Sequence, residues 1–278
     1  MRTNSAVFAA AGIATLLSLS ACSSEEPLAR AVEESKPPAA SEPALPEEPQ
    51  EEETPEPENP DLPSDEDIKK YVEAVSADSV DALQDARELA VPDGPADGYL
   101  RYQAHYHEAD RDAGFPAIND TDRINAIDDG FESCGSDGCF AFTDFAGENG
   151  KIYSFAIEGR PVEDHLILGD GSVQEGPFGS EITFVSAYEN AKGTHLFVAY
   201  ELRSGATALV SPMASYRSPS GRQSQSEMTV GAYDLAPDSM SHYYDLIPSG
   251  ELGGDLYLEI LTSDYLDSGE VTISTEME

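Results

Sequence analysis

The chain has 278 residues, of which 54 are Asp or Glu and only 15 are Lys or Arg, so its formal net charge is −39. A surface of this sign repels nucleic-acid phosphates and anionic lipid headgroups, which excludes a nucleic-acid partner and a basic membrane-binding patch. Two explanations of the acidity stay open: adaptation to high salt, which screens self-repulsion, or a cation-binding surface.

Residues 1–22 have the layout of a secretory signal peptide. Arg2 precedes an apolar segment that runs from Ala6 to about Leu19, shorter than the roughly 18–20 apolar residues that a membrane span needs. The segment ends in Leu19-Ser20-Ala21-Cys22, which resembles the lipobox of bacterial lipoproteins. The resemblance implies that Cys22 is lipidated and holds the chain on the extracellular or periplasmic side of the cell membrane. The alternative is an ordinary cleaved signal with an incidental cysteine.

Residues 23–63 form an acidic, proline-rich segment. Ten of the nineteen prolines fall here, they alternate with glutamates, and aromatic residues are missing. Such a segment cannot bury a core, and its glutamates repel one another. We expect a disordered, partly polyproline-II linker that holds the folded part away from the membrane.

Residues 64–175 are predicted to form a domain of helices and β-hairpins, and three helices open it. The first begins at Ser64, with Asp67 three residues later as in a capping box. The second begins near Ser79 and is stopped by Pro92, and the third spans residues 95–113. The apolar stripe of the third helix consists of Tyr99, Tyr102, Tyr106, Ala109 and Ala113.

From about Phe131 the hydrophobic period changes to that of β-strands. Cys134 and Cys139 are the two cysteines that remain besides Cys22, and in an exported protein their spacing predicts a disulfide at a hairpin tip. Asn149-Gly150 predicts a second hairpin, between strands at 140–145 and 152–157. A third strand of the same small antiparallel sheet is expected to end at Leu168.

Residues 176–278 are predicted to form an antiparallel β-sandwich, because short strands recur there with Gly, Pro and Asp between them. The expected strands are 182–188, 195–202, 207–210, 214–217, 240–247, 255–261 and 271–275. The segments 183–188, 196–202 and 216–222 resemble the immunoglobulin-like domains of uncharacterised Gram-positive and actinobacterial lipoproteins. The resemblance implies an immunoglobulin-like fold.

The sequence offers two weak metal candidates. His105 with Glu108, or His107 with Asp110, could supply two ligands at i, i+3, but the two histidines point about 200° apart and cannot share one ion. We therefore predict no metal site and a solvated helix edge. The acidic loops at 119–122 and 128–130 fail the EF-hand pattern, and turn formation explains them better than calcium does.

The chain carries no Gly-x-Ser-x-Gly, Ser-x-x-Lys, His-Glu-x-x-His or Cys-x-x-Cys motif, so we name no catalytic residue and no cofactor. The favoured interpretation is a non-enzymatic module that binds a protein or glycan of the cell surface. Two alternatives stay open: a purely structural envelope protein without a specific small ligand, or a hydrolase or isomerase with a pocket in the first domain. That enzyme would use His105 or His107 in a cavity lined by Tyr99, Tyr102 or Tyr106.

Overall fold

The computed structural model describes residues 61–116, 123–135, 138–206, 208–210, 214–262 and 266–276. These residues belong to one compact unit, Pro55–Glu278. The proposed signal peptide with Cys22, the linker up to residue 60 and the acidic loop at 119–122 lie outside the described residues.

Three helices open the described part, and each begins where the sequence predicts. Ser64 accepts a hydrogen bond from the Asp67 amide at 3.2 Å, and Ser79 accepts one from the Ala82 amide at 3.3 Å. Pro95 occupies the first turn of the third helix, where its missing N–H costs nothing. The helices are α1 (Asp65–Val75), α2 (Val80–Ala86), which continues into a 3₁₀ turn at Arg87–Leu89, and α3 (Pro95–Asp112).

The first sheet, sheet 1, is an antiparallel meander whose strands follow chain order. They are β1 (Arg123–Ile127), β2 (Gly130–Gly135), β3 (Gly138–Glu148), β4 (Lys151–Ile157) and β5 (Arg160–Pro161). Cys134 lies opposite Cys139 and is joined to it, so the predicted disulfide is confirmed. Asn149 and Gly150 both have positive φ, 53° and 75°, which makes the predicted β3–β4 hairpin turn.

The remaining strands form two six-stranded antiparallel sheets. Sheet 2 has the order β13-β15-β9-β8-β6, with β7 also paired to β8, and sheet 3 has the order β12-β11-β16-β10-β14, with β17 paired to β16. Their bounds are β6 (Leu166–Leu168), β7 (Val173–Glu175), β8 (Glu181–Glu189), β9 (His195–Arg203), β10 (Ala208–Val210), β11 (Ser215–Arg217), β12 (Gln223–Gln225), β13 (Met228–Val230), β14 (Asp234–Leu235), β15 (Met240–Pro248), β16 (Asp255–Thr262) and β17 (Ser268–Ser274).

Sheets 2 and 3 share one hydrophobic core. Side chains of β8, β9 and β15 pack with those of β11, β16 and β17, and the rings of Tyr200 and Tyr243 stack at 5.4 Å. The described residues therefore form a helical part with antiparallel β-sheets, rich in strand, as the sequence predicts.

Helix α3 lies between sheet 1 and the outer face of sheet 2. Near the start of the helix Tyr99 contacts Phe155 of β4 in sheet 1 and Tyr188 of β8 in sheet 2, with ring centroids 5.5 and 5.3 Å apart. Near its end Ala109, which has no exposed surface, packs with Ala199 and Tyr244 of sheet 2. The predicted stripe is thus mostly buried, and the buried surface of the helix is wider than the stripe, because Leu100 and His105 are buried as well.

One predicted strand is divided between two sheets. The sequence places residues up to Leu168 in the small sheet, but only Arg160–Pro161 pair there; Leu166 lies opposite Tyr188 of β8, in sheet 2. The reason is that strand pairing depends on tertiary contacts, which the local pattern does not contain. Five short strands (β1, β7, β12, β13 and β14) were also not predicted. The division into domains at residue 175 stays a prediction.

Candidate functional site

Polar side chains from α3 and β15 meet at the interface between the helix and sheet 2. We call His105, Glu108, Asp112 and His242 the α3–β15 cluster. One donor atom from each of His105, Glu108 and His242 lies within 4.8 Å of the others. These three side chains are therefore close enough to contact a single ligand.

Backbone periodicity explains why these residues meet. His105, Glu108 and Asp112 are spaced i, i+3 and i+7, so they share one side of α3. On β15 side chains alternate between the two faces of sheet 2, and Tyr243 points into the sandwich core. Its neighbours His242 and Tyr244 therefore face α3, where Tyr244 stacks on Tyr106 at 4.6 Å.

Asp112 fixes the orientation of His242. Its Oδ2 atom accepts hydrogen bonds from the His242 amide at 2.9 Å, from His242 Nδ1 at 2.8 Å and from the Ser241 hydroxyl at 3.1 Å. Burial by itself raises the pKa of Asp112, but these hydrogen bonds outweigh burial and hold that pKa below its ordinary value. Asp112 is thus a carboxylate, and Nδ1 is the nitrogen of His242 that carries a proton.

The other nitrogen of His242 faces a second carboxylate. His242 Nε2 lies 3.2 Å from Oε2 of Glu108. This distance fits a hydrogen bond if the imidazole is doubly protonated. A neutral imidazole, with its proton on Nδ1, would instead present a lone pair to the carboxylate, and a cation between the two atoms would then relieve their repulsion.

His105 is the most deeply buried member of the cluster. Its side chain packs edge-on against His242, with ring centroids 5.2 Å apart, and its Nε2 lies 3.0 Å from the Tyr243 carbonyl oxygen. Burial lowers the pKa of His105 to about 4, so the ring is neutral at neutral pH. The predicted solvated helix edge is therefore wrong for His105, which is only 3% exposed.

His107 belongs to a different part of the helix surface. Its Nδ1 lies 2.7 Å from Asp78 Oδ1, and burial lowers its pKa. Asp110, the predicted partner of His107, instead accepts a hydrogen bond from the Tyr244 hydroxyl at 3.0 Å. His105 and His107 thus have separate partners, as the helical geometry predicts.

A cleft of about 280 Å³ opens beside the cluster, between the α2–α3 region and strands β8 and β9. His105 and Glu108 line it, together with Arg87, Arg101 and Glu201. Arg87 is held in place because its guanidinium binds both carboxylate oxygens of the buried Asp97, at 2.6 and 3.2 Å. The cleft joins part of the cluster to the surface.

The tyrosines of α3 do not line this cleft. Tyr99 and Tyr102 are 5% and 4% exposed and pack in the aromatic core between α3 and the sheets. The enzymatic alternative requires a cavity lined by these tyrosines, but the side chains of Tyr99 and Tyr102 are packed in the core and line no such cavity.

The other predicted site residues lie elsewhere. Asp128 and Asp129 form the exposed turn between β1 and β2, as expected for turn-forming residues. Cys134 and Cys139 lie near Glu132, but their sulfur atoms are bonded to each other and carry no thiolate for a metal.

Sequence reasoning missed Asp112 and His242. His242 is 137 positions from His105, and no short motif contains both. The strand period could have placed His242 and Tyr243 on opposite faces of β15, but only the packing of α3 on sheet 2 shows which face meets the helix.

No family model matches the chain, and no curated protein was found to be similar to it. Within the described residues, no helix combines the length and the apolar character needed to cross a membrane.

Proposed function

We propose that the chain is a lipid-anchored lipoprotein exposed outside the cell membrane, and that its folded part is a non-enzymatic module that binds a protein or glycan of the envelope. The observation that carries the proposal is Leu19-Ser20-Ala21-Cys22 at the end of the short apolar segment. The acidic linker that follows would space the module from the membrane.

The finer fold assignment supports the same function. We propose that the two-sheet sandwich is immunoglobulin-like, on the resemblance of residues 183–188, 196–202 and 216–222 to lipoprotein domains of that class. Sandwiches of this architecture display loops at their ends for recognition, although fold alone does not determine function.

The anchor is tested by fractionation of cells that express the full chain. Cys22→Ser removes the thiol that accepts the lipid, so we expect the protein to move from the membrane fraction to the soluble fraction. Ser23→Ala, one position later, serves as the control and should stay with the membrane. Membrane retention of Cys22→Ser would refute the anchor.

The binding role is tested with the unanchored Cys22→Ser chain as bait for isolated envelope material. We expect reproducible capture of one protein or glycan, and we expect an excess of the untagged chain to compete for it. Absence of any competable ligand from envelope material would contradict the binding role without affecting the anchor.

One observation favours a second candidate, a hydrolase or isomerase: His105 and Glu108 line the same cleft. Native mass spectrometry of the purified chain tests it. A small organic molecule that is retained by the chain and lost in Glu108→Gln would support this candidate, whereas an organic ligand that persists in the variant would count against it.

A further inference from the structure

We propose that His105, Glu108 and His242 form a binding site for one divalent transition-metal ion with the ligand preferences of Zn²⁺, and that Asp112 is a positioning residue for His242. The inference does not depend on the lipid anchor or on the envelope partner. Two imidazoles and one carboxylate are a ligand set that Zn²⁺ takes in proteins, and three protein ligands leave a fourth position for water.

The distance between His242 Nε2 and Glu108 Oε2 fits this role. Zn²⁺ binds imidazole nitrogen and carboxylate oxygen at about 2.0–2.1 Å. Two such ligands at a tetrahedral angle are therefore separated by about 3.3 Å, and the observed separation is 3.2 Å. The donor atoms of the three side chains span up to 4.8 Å, so a small rotation of His105 or Glu108 would complete the site.

The hydrogen bonds around the two histidines are those that metal-bound imidazoles make. A ligating histidine usually gives its other ring N–H to a carboxylate or a backbone carbonyl. His242 Nδ1 is bound to Asp112 at 2.8 Å, and His105 Nε2 lies 3.0 Å from the Tyr243 carbonyl oxygen. His242 thus has Nδ1 bound to an acceptor, which leaves Nε2, the nitrogen that faces Glu108, for a metal. His105 also interacts with the Tyr200 carbonyl, so a metal would have to take the place of one of its two backbone contacts.

Charge and access agree with the same role. Glu108 and Asp112 bring two carboxylates to the cluster. Glu201, which is paired with His242 across β9 and β15, lines the adjoining cleft together with Arg101 and with Arg87, whose charge Asp97 balances. No lysine or arginine is paired with Glu108 among the described residues. An ion can reach His105 and Glu108 through the cleft.

The site is tested by titrating the full-length Cys22→Ser chain, stripped with a chelator, with CoCl₂. A large excess of CaCl₂ is kept present to occupy the many carboxylate-only positions of this acidic chain. We expect one equivalent of Co²⁺ to give the intense visible absorption of four-coordinate cobalt, and one equivalent of ZnCl₂ to displace it. A titration that gives nothing but the weak absorption of six-coordinate cobalt would overturn the proposal.

Variants locate the ion. We expect Glu108→Gln and His242→Gln each to weaken Co²⁺ binding by at least about tenfold, and Asp112→Asn to weaken it about 10–100-fold while the absorption bands stay four-coordinate. His107→Gln is the control, because His107 lies on the same helix but pairs with Asp78. This variant should bind Co²⁺ with unchanged affinity.

Circular dichroism of each chelator-treated variant checks that it is folded. Glu108 is 24% exposed, so its variant should fold even if His242→Gln does not. Unchanged affinity in Glu108→Gln would show that Glu108 and His242 form an ion pair only, and would overturn the proposal.

Discussion

Asp245 is a carboxyl group with no exposed surface inside the β-sandwich. It accepts a hydrogen bond from the Tyr200 hydroxyl at 3.1 Å and another from the Thr229 hydroxyl. Burial is the main cause that raises its pKa to about 6, and the hydrogen bonds only partly oppose the rise. The folded protein therefore holds a proton that the unfolded chain, with a pKa near 3.8, releases.

We predict that this proton makes the stability of the sandwich depend on pH. Between about pH 4 and pH 6 the native state binds more protons at Asp245 than the unfolded state does, so stability falls as pH rises through this range. By neutral pH this effect has lowered the free energy of unfolding by on the order of 3 kcal/mol. Asp245→Asn should remove it, so the variant's free energy of unfolding should decline less between pH 4 and pH 7.

Urea unfolding at several pH values measures the effect. Asp129→Asn removes a carboxylate from the exposed β1–β2 turn and is the matched control, which should follow the wild-type pH dependence. Parallel curves for wild type and Asp245→Asn would contradict the prediction.

Residues whose role is local were the ones that the sequence could predict. Ser64 and Ser79 mark helix starts through hydrogen bonds from the amide three residues later, and Pro95 marks one through its own fixed φ. Asn149-Gly150 sets its hairpin through its own backbone angles. The burial of His105 and Asp245 depends on elements far along the chain. No nearby residue signals either of them.

At the scale of single elements, the β2–β3 hairpin carries the disulfide. Cys134 and Cys139 close a ring of six residues, and the loss of loop entropy in the unfolded chain corresponds to about 2 kcal/mol of stability. We predict that Cys134→Ser with Cys139→Ser lowers the free energy of unfolding by about this amount, measured in urea.

A reducing agent provides the control for this prediction. It should destabilise the wild type by a similar amount and leave the double variant unchanged. A wild type that is insensitive to reduction would show that the hairpin is stabilised by its ladder and packing alone.

Helix α3 shows why an element can be predicted correctly and its surroundings wrongly. Its bounds follow from Pro95 and Gly114, and its tyrosine stripe does face the core. The stripe, which includes Ala109, predicts one buried side, whereas sheet 2 also covers a second, neighbouring side that carries His105. The polar residues of that second side then become the α3–β15 cluster.

At the scale of the whole molecule, the main feature is the excess of negative charge. Residues 61–278 contain 42 acidic and 12 basic residues, so the net charge of this part is −30. Like charges at this density repel one another and destabilise the compact state. Composition alone leaves salt adaptation and cation binding open as explanations, and the two predict different responses to salt.

We predict that general screening accounts for most of the effect of salt on stability. The Debye length falls from about 10 Å at 0.1 M to about 3 Å at 1 M salt, so self-repulsion weakens over this range. The free energy of unfolding should therefore rise steadily with NaCl, and choline chloride should give the same rise because screening does not depend on the cation. Urea unfolding in each salt measures it. A rise produced by a small amount of CaCl₂, with little response to NaCl, would instead show that the acidic surface binds specific cations.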